Sequence, residues 1–489
     1  MTQNAQSNRL RYVIVGAGMA GMLAGIKLLQ RGVTNFAIYE KADRIGGTWR
    51  ENTYPGLTCD VPSHSYTYSF EPYPDWTCLM PSGAEIQEYF EKVRVKYGLD
   101  DYLHFKKEIT TCEYVEGKWC IQTACGHKDY ADIVIAATGV LHHPRIPEIE
   151  GMDSFNGAIF HSARWDHSVP PDGRRIAVIG TGSTGVQIVS ALSKIAAQLT
   201  HFQRTPQWIM PVENRPFTNE EKAAFHSDPE ILKRMQNDPE LEANIERFSA
   251  AITDPESDAM KQIDELVLNN LEQSVKDPEL REKLRPDYKP ACKRLIYSPD
   301  FYEAVQRPNV EVVVEGVDRI EPEGIRSCDG QLHEFDVIVL ATGFRADMFV
   351  RPAQVKGRGG VSLDDVWGDS PQAYMAIMIP DFPNFFMLNG PGGPVGNFSL
   401  IEIAEHQWNY VEQLIRLVEG GDCREVCVTS EAFEQFERDR IAAAKHTIFA
   451  TGCDSWYLDA RGIPATWPWT RQRFKQEMAA PKPEALELN

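Results

Sequence analysis

A chain of 489 residues is about three times the usual domain length, so two or three packed lobes are expected. Hydrophobic residues make up 43% and charged residues 25%, an ordinary globular mix, and no stretch approaches the roughly 18 uninterrupted apolar residues of a membrane helix. The formal charge of −20 repels polyanions, which argues against nucleic acid as a partner and confines phosphate binding to local sites.

The polar lead-in Met1 to Arg11 lacks the basic start, apolar middle and small-residue cleavage site of a secretory signal, so a cytoplasmic location is expected. Ten cysteines, among them Cys59, Cys78, Cys292 and Cys453, show no CxxC spacing for a zinc site or a dithiol motif. They read as reduced thiols, and no metal site is expected.

Residues 12 to 29, YVIVGAGMAGMLAGIKLL, join an apolar strand to an amphipathic helix through Gly16, Gly18 and Gly21. Glycines allow a tight turn and close approach to a pyrophosphate, while the helix start offers free N–H groups and a positive dipole end. A second strand ends in Glu40, 24 residues after Gly16, where a carboxylate would accept hydrogen bonds from a ribose 2′-hydroxyl. The arrangement recurs at 175 to 192, RIAVIGTGSTGVQIVSAL, with Gly180, Thr181, Gly182, Ser183 and Gly185. At the matching offset the second copy carries Arg204 and Thr205. A guanidinium and a hydroxyl would bind a 2′-phosphate that a carboxylate would repel, so the first site suits FAD and the second NADPH.

Each copy closes on the same phrase, DIVIAATG at 132 to 139 and DVIVLATG at 336 to 343, where a buried strand delivers a glycine turn and the chain crosses between lobes. The fold class is therefore α/β, with two Rossmann-like dinucleotide-binding domains and a helical insertion. The expected division is 1–149 and 343–489 for FAD, 150–211 and 291–342 for NADPH, and 212–290 for the insertion. In the insertion, Ile263, Val267, Leu271 and Val275 form a helical stripe supported by Leu266 and Leu268, and the insertion is expected to roof the substrate site.

The linking string FNGAIFHSARWD, residues 155 to 166, resembles the fingerprint FxGxxxHxxxW(P/D) of Baeyer–Villiger monooxygenases through Phe155, Gly157, His161, Trp165 and Asp166. GGTWRENTYPGLTCD, Gly46 to Asp60, resembles their second signature, and 201 to 211, the run ending at Arg294 and the stretch from Cys453 are similar to segments of the same family. The resemblance spans nearly the whole chain and implies an FAD- and NADPH-dependent enzyme that uses O2 to convert a small-molecule ketone into an ester or lactone. A thioether is a further possible substrate.

The resemblance also implies roles. Arg294 would hold a C4a-peroxyflavin deprotonated by its fixed charge, with Asp60 tuning that guanidinium and both touching cofactor. Lys293 would join Arg204 and Thr205 on the 2′-phosphate. Thr48, Trp49 and Tyr66 would contact FAD, and Trp456 would lie on a mobile loop over the nicotinamide. His161 would relay lobe orientation rather than act as a base, with Trp165 as its packed anchor. The segment 383 to 400 would meet the flavin ring. A flavin monooxygenase acting on sulfur or nitrogen shares both nucleotide folds, and a nucleotide-binding sensor is the non-enzyme alternative. A disulfide reductase would need a close cysteine pair after the first fold.

Overall fold

Short apolar runs without polar alternation, buried on both faces, favour parallel strands covered by helices on either side. Tyr12–Val15, Phe36–Tyr39 and Ile133–Ala136 are such runs. In the computed structural model, which describes residues 9–396 and 398–489, they form the centre of a five-stranded parallel sheet. Its order is Phe385–Met387, Ile133–Ala136, Tyr12–Val15, Phe36–Tyr39, Leu103–His104. Most of the polar lead-in (residues 1–8), and Asn397 within the segment 383 to 400, lie outside the described residues.

A second five-stranded parallel sheet repeats the plan, in the order Val310–Val313, Gln198–Phe202, Arg175–Ile179, Val337–Leu340, Ala158–His161. In both, an antiparallel meander precedes the strand that leads to the ATG turn: 109 to 131 before Ile133–Ala136, and 317 to 334 before Val337–Leu340. The two segments that follow those turns run side by side. The Arg145 N–H donates to the Gly343 carbonyl and the Arg345 N–H to the His143 carbonyl, each at 2.9 Å.

The insertion is helical, as its sequence suggests. Three of its helices, Pro229–Gln236, Pro239–Thr253 and Pro278–Lys283, start at an Asp-Pro-Glu string. In each the aspartate accepts the N–H two residues on, and proline occupies the first turn, where no donor is needed. On Asp258–Ser274 the buried face is Met260, Ile263, Val267 and Leu271. Leu266 is 51% exposed and does not support that stripe, because its position on the helix points away from the packed side. Buried Arg471 ties the insertion to the C-terminal part of the chain, donating to Glu242 and Glu246 on one side and Glu402 on the other.

The reduced-thiol reading is corrected at one place: Cys292 and Cys453 form a disulfide, and the other eight cysteines are free. Spacing could not reveal the pair, since its members are 161 residues apart and the fold alone brings their Cα atoms to 6.2 Å. Among the described residues no helix is long and apolar enough to cross a membrane.

His201, fully buried in the strand Gln198–Phe202, holds the second glycine turn through Nε2–H, which donates to the Gly180 carbonyl at 3.0 Å. Burial pushes its pKa from 6.5 down to about 4, so the folded ring stays neutral while the unfolded chain takes up a proton. The contribution is complete above pH 6.5 and is lost as pH falls towards 4. Urea midpoints measured from pH 7 to 4.5 are expected to fall. His201→Gln, a donor that does not titrate, should lessen the slope by up to about 1.4 kcal/mol per pH unit. An identical slope in both proteins would remove His201 from the acid response.

Candidate functional site

The three glycines of each turn do different work. A Cβ on Gly16 would meet the Ala137 carbonyl oxygen at 2.6 Å, and one on Gly180 would collide with the Ala341 carbonyl; both have positive φ, +99° and +121°. Gly21 and Gly185 lie against the carbonyls of Gly16 and Gly180, so they let the helix approach its strand and do not reach the cavity. The middle glycines have no such close contact. Beside Gly18 the nearest atom to a Cβ is 3.7 Å away, and beside Gly182 nothing lies within 4 Å. Each of these two is the N-cap of its helix, Met19–Gln30 or Ser183–Leu192, and no side chain caps either. Two sets of free backbone donors thus point into space that an anion can fill.

That space is one cavity of about 1320 Å³, lined by Gly16, Gly18, Gly180 and Gly182 together with Asp60 and Arg294. At the first turn it also takes in Glu40, Thr48, Trp49 and Tyr66. Glu40 is buried and accepts the N–H groups of Ala17 and Ala42 at 2.9 Å, with Arg50 3.3 Å away, which leaves acceptor capacity on its two oxygens for a ribose hydroxyl. The Trp49 indole donates to the Tyr66 hydroxyl at 3.0 Å.

At the second turn the cavity is lined by Thr181, Ser183, Arg204, Thr205 and Lys293. Burial pulls the Lys293 pKa down, Asp454 opposes that, and Arg204 adds to it as a like charge. Two neighbouring cations with free space beside them suit a dianion such as a 2′-phosphate. Sequence reasoning missed what supports them. Lys293 Nζ sits 4.7 Å over the ring of Tyr288, whose hydroxyl donates to Gln207 at 2.8 Å, and Gln207 in turn reaches Thr181 at 3.4 Å.

Asp60 and Arg294 meet in the cavity as expected. The guanidinium donates from Nε to one carboxylate oxygen at 3.0 Å and from Nη2 to both, at 2.7 and 2.8 Å, while Nη1 donates to the Gly396 carbonyl. Burial alone would lower the Arg294 pKa, but Asp60 more than reverses this, and the group stays charged.

The stretch from Gly46 to Asp60 earns its fingerprint by packing. Gly47 lies on Gly18 of the first turn, and Gly56, at φ +84°, abuts the Gln187 carbonyl on the helix of the second. The same helix accepts Tyr54: its hydroxyl donates to Gln187 at 2.9 Å, and Gln187 donates to the Thr58 carbonyl at 3.0 Å. The glycines of that string were a signal for this close approach; Gln187 carried none.

His161 and Trp165 do not line the main cavity. Buried His161 accepts the Ala163 N–H on Nδ1 and donates from Nε2 to the Gly343 carbonyl, both at 3.1 Å, and burial lowers its pKa. Both ring nitrogens are therefore occupied by backbone, which suits a joint between lobes and not a general base. Trp165 packs edge-on against Phe160 and borders a small separate cleft with Arg50 and Arg164. Trp456 lines the main cavity with Asp454 and Ser455 and is 42% exposed. From the segment 383 to 400, Leu388, Asn389, Val395, Gly396, Phe398 and Leu400 also line it.

Residues 9–219 match the family described as flavin-binding monooxygenase-like. An uncharacterized monooxygenase of Mycobacterium tuberculosis is 46% identical over 97% of this chain and 95% of its own length. A Baeyer-Villiger monooxygenase of Streptomyces coelicolor is 36% identical over 96% and 90%. Among solved structures, cyclohexanone monooxygenase from Rhodococcus sp. Phi1 bound to NADP+ superposes with a TM-score of 0.85 at 30% identity, covering 98% of this chain and 99% of that one. OTEMO in complex with FAD and NADP gives 0.87 at 26% identity, with the same coverage.

The room for a Cβ at Gly18 gives a test of the first turn. Its φ of −76° suits any residue and aspartate is a good N-cap, so Gly18→Asp is expected to fold with an unchanged far-UV spectrum. Its carboxylate would occupy the anion position, and the variant should purify colourless where the parent carries FAD. A folded variant fully loaded with flavin would remove FAD from this turn.

Proposed function

This chain belongs to the Baeyer–Villiger monooxygenases, FAD- and NADPH-dependent enzymes that insert one oxygen atom of O2 beside a ketone carbonyl, and we propose how its residues divide that work. The observation that carries the reading is the Asp60–Arg294 pair, set in one cavity between two open glycine turns. Bound FAD, reduced by NADPH, would supply the two electrons that activate O2, the source of the inserted oxygen. The protein supplies position and charge.

Gly16, Gly18 and Glu40 hold FAD, with Thr48, Trp49 and Tyr66 along its length, while Gly21 lets the helix close on its strand. Gly180, Thr181, Gly182 and Ser183 hold the NADPH pyrophosphate, Gly185 lets their helix close on its strand, and Arg204, Thr205 and Lys293 hold the 2′-phosphate. Arg294 keeps a permanent positive charge where negative charge develops on oxygen as it adds to the carbonyl, and Asp60 aims that charge without cancelling its field. Trp456 closes over the nicotinamide end. His161 and Trp165 set the angle between lobes. The chain divides as 1–149 and 343–489 for FAD, 150–211 and 291–342 for NADPH, and 212–290 for a roof over the substrate. The substrate is a small ketone, with a thioether as the alternative, and the enzyme works in the cytoplasm.

Arg204→Ala is expected to weaken NADPH far more than NADH, since only NADPH has the 2′-phosphate. Loss of a charge-assisted contact of about 1.5–3 kcal/mol corresponds to roughly ten- to a hundredfold in affinity. Equal effects on the two coenzymes would place Arg204 elsewhere. Arg294→Ala is expected to keep FAD and some NADPH-driven flavin reduction while ester formation falls about a hundred- to a thousandfold. The consumed NADPH should then appear as hydrogen peroxide, and Arg294→Lys should restore part of the ester. The assay is product mass from a panel of cyclic, aryl and open-chain ketones beside a thioether. Sulfoxide without ester from the unmodified enzyme, or normal ester from Arg294→Ala, would overturn the assignment.

A further inference from the structure

The disulfide joins the two segments that carry the cations and the tryptophan of the nucleotide site. Cys292 immediately precedes Lys293 and Arg294; Cys453 immediately precedes Asp454, Ser455 and Trp456. All five of those following residues line the cavity.

The Trp456 segment has little else to hold it. Among the described residues no backbone N–H from Gly452 to Trp456 donates a hydrogen bond. Its fixed points are the Thr451 N–H on the Ile448 carbonyl and the Tyr457 N–H on the Ser455 hydroxyl, each at 3.2 Å, and the Leu458 N–H on the Ser455 carbonyl at 3.0 Å. The Trp456 ring rests 4.3 Å from Tyr457, its own neighbour in the chain. A stretch whose own N–H groups make no hydrogen bond depends on its cross-link for order. Disulfides are rare where the cell keeps thiols reduced, and those that occur there are mostly transient or redox-sensing.

We propose that Cys292 and Cys453 are a reversible redox strap that sets how tightly the Trp456 segment closes on NADPH and NADP+. The proposal rests on the reading of Lys293 and Arg204 as residues of that coenzyme site. To open the strap, one thiolate of a dithiol reductant attacks the Cys453 sulfur, the less buried at 6% exposure against 0% for Cys292. The Cys292 thiolate leaves and is protonated, and the reductant's second thiol displaces Cys453 from the mixed disulfide. The products are two protein thiols and an oxidised dithiol, a transfer of two electrons. To close it, a peroxide oxidises one thiolate to a sulfenic acid, releasing its other oxygen as hydroxide or alkoxide, and the second thiol displaces water to form the S–S bond.

Reciprocity supplies the test. If the strap favours the coenzyme-binding arrangement, bound coenzyme must favour the strap by the same factor. The FAD-loaded enzyme is equilibrated in oxidised and reduced dithiothreitol buffers with and without saturating NADP+. Alkylation and mass spectrometry then read the Cys292–Cys453 peptide, and NADP+ affinity is titrated on the fully oxidised and fully reduced enzyme. The reduced enzyme is expected to bind NADP+ about tenfold more weakly. NADP+ should shift the disulfide midpoint by the same factor, about 30 mV for a two-electron couple. Cys453→Ala should bind like the reduced enzyme; if it does not fold, chemical reduction of the parent gives the same comparison. Equal affinity in the two redox forms, a midpoint indifferent to NADP+, or ten alkylatable thiols after peroxide treatment each overturns the strap. Failure of the coenzyme reading is seen separately, as equal loss of NADPH and NADH in oxidised Arg204→Ala.

Discussion

A guanidinium and a carboxylate partly buried in one cavity wall stabilise each other, because either left there alone is more costly than the pair. Asp60 and Arg294 come from segments 234 residues apart, one following the first glycine turn and one lying within the second half of the chain. Their three hydrogen bonds need the fork of arginine and both carboxylate oxygens in one plane, so the pair forms only when the two halves dock at one distance and angle. Assembly of the cavity and placement of its fixed positive charge are therefore the same event.

Around that pair the chain repeats one plan. Each half places a parallel sheet, a glycine turn and an uncapped helix start on one wall of the cavity, so two anionic cofactors can lie between them. Lobe orientation is held by contacts other than the ion pair. The two crossing segments bond each other at His143, Arg145, Gly343 and Arg345, and Tyr54 reaches Gln187. Arg471, with three glutamates around it, couples the helical insertion to the helix Leu400–Gly420. The cavity is held at its rim, while its floor of glycines stays open.

The sequence by itself determined the parts whose cause is local. Gly16 and Gly180 take positive φ, and Gly21 and Gly185 lie against the carbonyls of those same turns, all within a few residues. Glu40 and Arg204 follow from where the next strand must end. Runs such as Tyr12–Val15 and Val337–Leu340 announce strands buried on both faces, for reasons contained in a few adjacent residues.

Only the tertiary structure decided the rest. The two outer glycines of each turn differ in purpose because of carbonyls on another segment, Ala137 and Ala341. Lys293 is steadied by Tyr288, and that ring by Gln207, which no spacing links. Leu266 faces solvent because the neighbouring packing surface lies on the other side of its helix. Cys292 and Cys453, read as separate thiols, are joined because docking brings their Cα atoms to 6.2 Å. Periodicity and turn chemistry report what the backbone does over a few residues; contacts between segments a hundred or more positions apart depend on how finished elements pack, and that is encoded in no single stretch of the chain.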